Sequence, residues 1–134
     1  MNTCAEKFKK FLEEKGLHFD VIELKDGDVA ITIPNDGKLA KCFFSGDDGE
    51  YLSIYITFDT IPKEKLANGL VICNELNTKY KWITFYIDND LELTLHDDAI
   101  LSPDSAADEA FELVLRMFHI MNDVKPEIMR AIYA

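Results

Sequence analysis

The sequence predicts an α+β fold in which helices cover one face of an antiparallel sheet, as a single domain over residues 1–134. Three observations predict it. Apolar residues recur at helical spacing near both ends and once in the middle, the segments between alternate with period two, and Asp, Asn and Gly clusters break the alternating runs. The expected order is α-β-β-β-β-α-β-β-α-α.

Thr3 and Glu6 have the spacing of a capping box, and Phe8, Phe11 and Leu12 follow on one helical face. A first helix is expected from about Thr3 to Lys15, closed by Gly16, which adopts the left-handed conformation without a Cβ clash. From Phe19 to Phe58 the period is two: Val29, Ile31 and Ile33 form one set, and Leu52, Ile54, Ile56 and Phe58 alternate with Tyr51, Ser53, Tyr55 and Thr57. The breaks Asp26-Gly27-Asp28, Asn35-Asp36-Gly37 and Gly46-Asp47-Asp48-Gly49 suit short hairpin loops, so a meander of up to four strands is expected.

Pro62 fits the first position of a second helix reaching about Asn77, with Leu66, Gly69, Leu70, Ile72, Cys73 and Leu76 on its apolar face. Asn77 falls inside that apolar arc. It is assigned a structural role, either as a left-handed cap or through an amide bonded to neighbouring backbone. Lys81 to Asp88 alternates again, with Ile83, Phe85 and Ile87 opposite Trp82, Thr84 and Tyr86, and Leu91, Leu93 and Leu95 continue after an Asp88-Asn89-Asp90 turn. Ser102 or Ser105 caps a long helix whose stripe is Ala107, Ala110, Phe111, Val114, Phe118 and Met121, and Pro126 is expected to begin a separate terminal helix.

Composition narrows the function. With 48% hydrophobic residues in 134, the chain buries a sizeable core without disulfides. Its formal charge of -11, with acids gathered at the turns, argues against nucleic acid and anionic membranes, which require basic surfaces. Cys4, Cys42 and Cys73 are odd in number and lack metal-ligand spacing, so each reads as a buried free thiol. Residues 1–10 lack the basic start and apolar run of a signal peptide, which makes the cytoplasm the expected compartment.

The segment Leu76-Asn77, the aromatic run from Trp82 to Asp88, the Leu91 to Leu95 run and the final amphipathic helix resemble the YbjN family, labelled bacterial sensory transduction regulators. The resemblance covers nearly the whole chain. It implies a fold like the type III secretion chaperones, with subunits that commonly pair and no catalytic residues to carry over. What looks like the family signature is a helix ending in asparagine, here Asn74 and Asn77, before a hairpin turning at Asp88 and Asp90. This chain has Leu91 where the commoner pattern has glycine.

Candidate chemistry is sparse. Asp88, Asp90 and Glu92 alternate and precede His96, Asp97 and Asp98, but an EF-hand counted from Asp88 would have Leu93 and Ala99 where glycine and glutamate are required. His96 is expected to end a strand next to Asp97, in a turn role and not a catalytic dyad, with His119 on the polar stripe of the last long helix and His18 in a loop. Gly46-Asp47-Asp48-Gly49 is too acidic for a phosphate loop. No catalytic residue, cofactor or metal ligand is assigned; the alternative is a small divalent-metal-dependent hydrolase or ligand-binding protein using Asp88, Asp90 and His96.

Two surfaces favour a protein partner instead. Leu113, Leu115, Met117 and Ile120 widen the apolar arc of the last long helix beyond what one sheet face covers, and Tyr51, Tyr55, Trp82 and Tyr86 fall on the sheet face opposite the core. The expected function is a non-enzymatic binding module, chaperone-like or regulatory, acting as a homodimer on a protein or peptide segment. The acidic exterior favours basic partners.

Overall fold

A computed structural model describes residues 1–133. Helix α1 (Thr3–Glu14) buries Cys4, Ala5, Phe8 and Leu12, as the periodicity predicts, and Gly16 follows it at φ 68°. Its cap differs from expectation. Asn2, not Thr3, is the N-cap: its Oδ1 accepts from the Ala5 N–H at 3.0 Å, while its Nδ2 donates to the Gly27 and Phe44 carbonyls, each at 3.1 Å. Asparagine caps as well as a hydroxyl does and carries a second, donating atom, so one side chain fixes the helix to the turn at Gly27 and to the strand that holds Phe44.

Six strands follow the alternating runs: β1 (Asp20–Glu23), β2 (Val29–Asn35), β3 (Lys38–Ser45), β4 (Tyr51–Thr60), β5 (Thr84–Ile87) and β6 (Glu92–Ile100). They form one antiparallel sheet in the order β1-β2-β3-β4-β6-β5. Val29, Ile31, Cys42, Phe44, Ile54, Ile56, Leu93 and Leu95 are buried on the same side. The turn after Asp88 closes with Leu91 in the left-handed region at φ 62°. Asp88 Oδ1 holds it by accepting from the Asp90 and Glu92 N–H groups, both at 2.9 Å.

Helix α2 (Leu66–Lys79) is preceded by a 3-10 turn at Lys63–Lys65, which displaces Pro62 from the helix start. Its buried face is narrower than the wheel suggests, because Leu70 is 54% exposed. Gly69 allows α2 to lie close to the sheet: a Cβ there would stand 2.8 Å from the Ile61 and Ile87 side chains.

The last two expected helices are one. Helix α3 (Ala106–Tyr133) runs 28 residues straight through Pro126, so the observed order is α-β-β-β-β-α-β-β-α. Proline removes one backbone bond, to the carbonyl of exposed Asn122. Burial of Val124, Ile128 and Ile132, one turn apart, holds the helix together across that loss. Pro126→Ala is expected to stabilise the protein by about 1–2 kcal/mol, read as a higher urea midpoint at unchanged m-value. The three cysteines are buried and free, and burial pushes the Cys42 thiol up to about 12.

Candidate functional site

The outer edge of β5 is closed by the residue that interrupts the apolar arc of α2. Asn77 Oδ1 accepts from the Phe85 N–H at 2.7 Å and its Nδ2 donates to the Phe85 carbonyl at 3.0 Å. An amide presents one donor and one acceptor in a plane, so it pairs with a strand residue much as another strand would. Of the two roles anticipated for Asn77, bonding to neighbouring backbone is the one observed.

Before Thr84 the chain leaves the sheet, and this corrects the placement of Trp82. The period-two pattern puts Trp82 beside Thr84 and Tyr86 on the open face; instead it lies in a bend outside β5, 73% exposed, against α3. There it lines a groove of about 290 Å³ with Tyr80, Ile83, Leu113, Met117 and Ile120. Leu113 and Ile120 are half-buried at its wall and Leu115 is 52% exposed beyond it. Met117 is fully buried and belongs to the core stripe, so it offers no partner surface.

Two groove residues escaped the sequence reading. Asp97 takes a core-facing position of β6, after Leu93 and Leu95, and burial pushes its carboxyl up, opposed by a hydrogen bond from the Asp98 N–H. A charge in the inward register of a strand is legible without a structure. Arg116 also lines the groove, and its guanidinium donates to Glu112 at 2.8 Å.

The open face carries the other aromatics. Tyr55 and His96 lie directly opposite across β4 and β6, with rings stacked at 4.5 Å and 2° from parallel. Phe43 meets Tyr55 edge-on at 5.8 Å, Tyr86 meets His96 edge-on at 6.4 Å, and Tyr51 is 53% exposed opposite Ile100. His96 is therefore within a strand, not in a turn. Its Nε2 is 2.7 Å from Asp98 Oδ1, and Ser53 Oγ donates to that same oxygen at 2.6 Å. The Ser53 hydroxyl holds the Asp98 carboxyl below its usual range against a smaller opposing effect of burial, with His96 adding to the lowering. Catalytic geometry requires serine bonded to histidine; here both bind aspartate, and the hydroxyl is not activated.

Asp88, Asp90 and Glu92 do converge, with an oxygen of each within 4.8 Å of the others. Among the described residues, these three could hold a cation. His96 is not among them; its Nε2 bonds Asp98 and its ring stacks on Tyr55. His119 lies on the polar stripe as expected, 3.3 Å from Asp123.

Comparison with known proteins bears on the fold and the family. The sequence model of the YbjN family, described as "putative bacterial sensory transduction regulator", matches residues 5–123. The structure is similar to that of YbjN from E. coli, described as "a putative transcription regulator", with 12% identity and a TM-score of 0.64 over 92% of each chain. It is also similar to the Yersinia pestis type III secretion chaperone SycH, solved in complex with a stable fragment of YscM2. That match has 14% identity and a TM-score of 0.52, and covers 84% of this chain and 95% of that one. No curated protein is matched by the sequence.

Proposed function

Because the chain belongs to the YbjN family, we propose that it is a non-enzymatic protein-binding module, chaperone-like or regulatory, that acts as one domain and pairs with a second copy of itself. The observation that carries this reading is Trp82. Covering a large apolar side chain that stands 73% exposed at the mouth of an apolar groove removes apolar surface from water, a gain that a partner can supply. SycH, of similar fold, is solved with a protein fragment bound, which supports a protein segment as the occupant. The exposed flank of α3 at Leu115, beside half-buried Ile120, is assigned to the second copy, and the Tyr51, Tyr55 and Tyr86 face is a further contact surface. Among the described residues no helix is long and apolar enough to cross a membrane, and the cytoplasm is the proposed compartment.

Affinity capture with mass spectrometry tests the reading. The wild-type chain is expected to recover one stoichiometric protein that Trp82→Ala, an exposed substitution, loses. Equal recovery by both would remove the groove from the account. Light scattering across a dilution series is expected to show a dimer that Leu115→Glu weakens; a monomer throughout would remove the pairing. Added calcium, magnesium or zinc is expected to leave the melting temperature unchanged. A shift of several degrees that vanishes in Asp88→Asn or Asp90→Asn would favour the divalent-metal hydrolase or ligand-binding reading, which the convergence of Asp88, Asp90 and Glu92 supports.

A further inference from the structure

Strand β6 outruns the strand beside it. β5 pairs with it only from Ile87↔Leu93 to Thr84↔His96, whereas β4 accompanies it to Tyr51↔Ile100. Asp97 to Ile100 therefore have one free edge. The direction of their backbone groups follows from the ladder. The Leu101 N–H donates to the Glu50 carbonyl and the Asp88 N–H to the Glu92 carbonyl, so odd-numbered residues of this segment turn towards β4 and even-numbered ones towards β5. Asp98 and Ile100 accordingly direct N–H and C=O outward beyond the end of β5.

Free sheet edges invite pairing with another strand, and proteins close them with covering elements or charge. Along β5 the edge is closed by Asn77. Along the end of β6 only Asp97 guards it, a carboxylate in the inward register bonded to the Asp98 N–H. We propose that this edge is a docking site for an extended, basic segment of a partner protein, which adds as a strand at Ile100 and the Asp98 carbonyl and lays a lysine or arginine against Asp97.

Charge complementarity selects that occupant. Asp97, Asp98, Glu109 and Glu112 line the depression beside the edge, and its cation, Arg116, is already bonded to Glu112; Lys79 and Lys81 line the adjoining groove around Trp82, with Lys79 paired to Glu127 at 3.6 Å. A neutral or acidic strand would cover Asp97 and bring it no counter-charge of its own, and a second copy of a chain with formal charge -11 is disfavoured for the same reason. A lysine or arginine relieves that burial. Its aliphatic stem covers Leu113 and its cation meets both the carboxylate and the exposed face of Trp82. The inference rests on the protein-binding reading above and adds to it the mode and the chemistry of the partner.

The chain has one tryptophan, so its emission reports on this groove alone. The probes are three synthetic octapeptides: alternating lysine and valine, alternating glutamate and valine, and alternating lysine and proline, the last equal in charge to the first but unable to pair as a strand. Only the lysine-valine peptide is expected to move Trp82 emission to the blue and to slow exchange of the Ile100 amide. Asp97→Asn, which keeps the side-chain shape, is expected to weaken its binding about tenfold with an otherwise unchanged amide spectrum. A response to the glutamate or proline peptide, or full affinity in Asp97→Asn, overturns the proposal. If the lysine-valine peptide is silent while Trp82→Ala still loses the captured protein, the edge site falls and protein binding stands. If neither responds, both fall.

Discussion

Asn77→Ala is expected to lower the unfolding free energy by about 3 kcal/mol and the melting temperature by roughly 10 °C. Two effects add. The substitution removes both bonds to Phe85, and it leaves the N–H and C=O of a buried residue without partners at the sheet edge. Leaving such groups unpaired costs more than the bonds contribute when made, because the reference state is solvated. Water reaching the edge past exposed Asn77 limits the loss, which is why a larger figure is not expected. Asn77→Asp separates the two bonds: it keeps the acceptor for the Phe85 N–H but sets a second oxygen against the Phe85 carbonyl, so it should cost at least as much as alanine. Urea unfolding of the two variants, with amide exchange at Phe85, measures this. A loss below about 0.5 kcal/mol in Asn77→Ala would mean that the amide pairing is not a structural contact.

Why Asn77 was legible and Trp82 was not is a matter of what sets each position. A polar residue inside an apolar helical arc conflicts with its surroundings and must find a partner, so Asn77 announces a contact from sequence alone. The alternating run containing Trp82 carries no such conflict. Alternation continues unbroken from Lys81, and no glycine or proline marks the point where the chain leaves the sheet, so the pattern starts three residues too early and places the ring on the wrong face.

Met117 is a different kind of error. On a helical wheel it lies about 20° from Ala110, inside the core arc, and only drawing the stripe through Ala107 and Phe111 moved it outside. Contacts with both α1 and α2 widen the buried arc of α3, which no periodicity in α3 itself announces. Pro126 errs in the opposite direction, because packing of Val124, Ile128 and Ile132 overrides a local preference to break. The groove is tertiary throughout. Asp97, Trp82 and Leu113 converge from a strand, a bend and a helix. Only the inward charge at Asp97 could have been read as a sign of it beforehand.

Gly49→Ala is expected to cost about 3 kcal/mol, although the residue lies in a loop and touches no proposed binding surface. Gly49 adopts φ 73°, where an L side chain is strained by ~1–2 kcal/mol. Its Cβ would fall inside the side-chain amide of Asn2. The amide must move, and with it go the cap on the Ala5 N–H and the bonds to Gly27 and Phe44 that fix α1 to the turn before β2 and to β3. Loss of the cap alone is worth ~1 kcal/mol. The two parts separate in a double-mutant cycle. In an Asn2→Ala background the space is already vacant, so Gly49→Ala should cost only its backbone strain, and the cycle should close with a coupling of about 1 kcal/mol or more. Strictly additive effects would show that Gly49 is required for its own conformation and not for the room it leaves to Asn2. Because α1 packs on α3 and β2, its loosening should speed amide exchange at Phe8 and Leu12 first, while Trp82 emission stays unchanged below the melting transition.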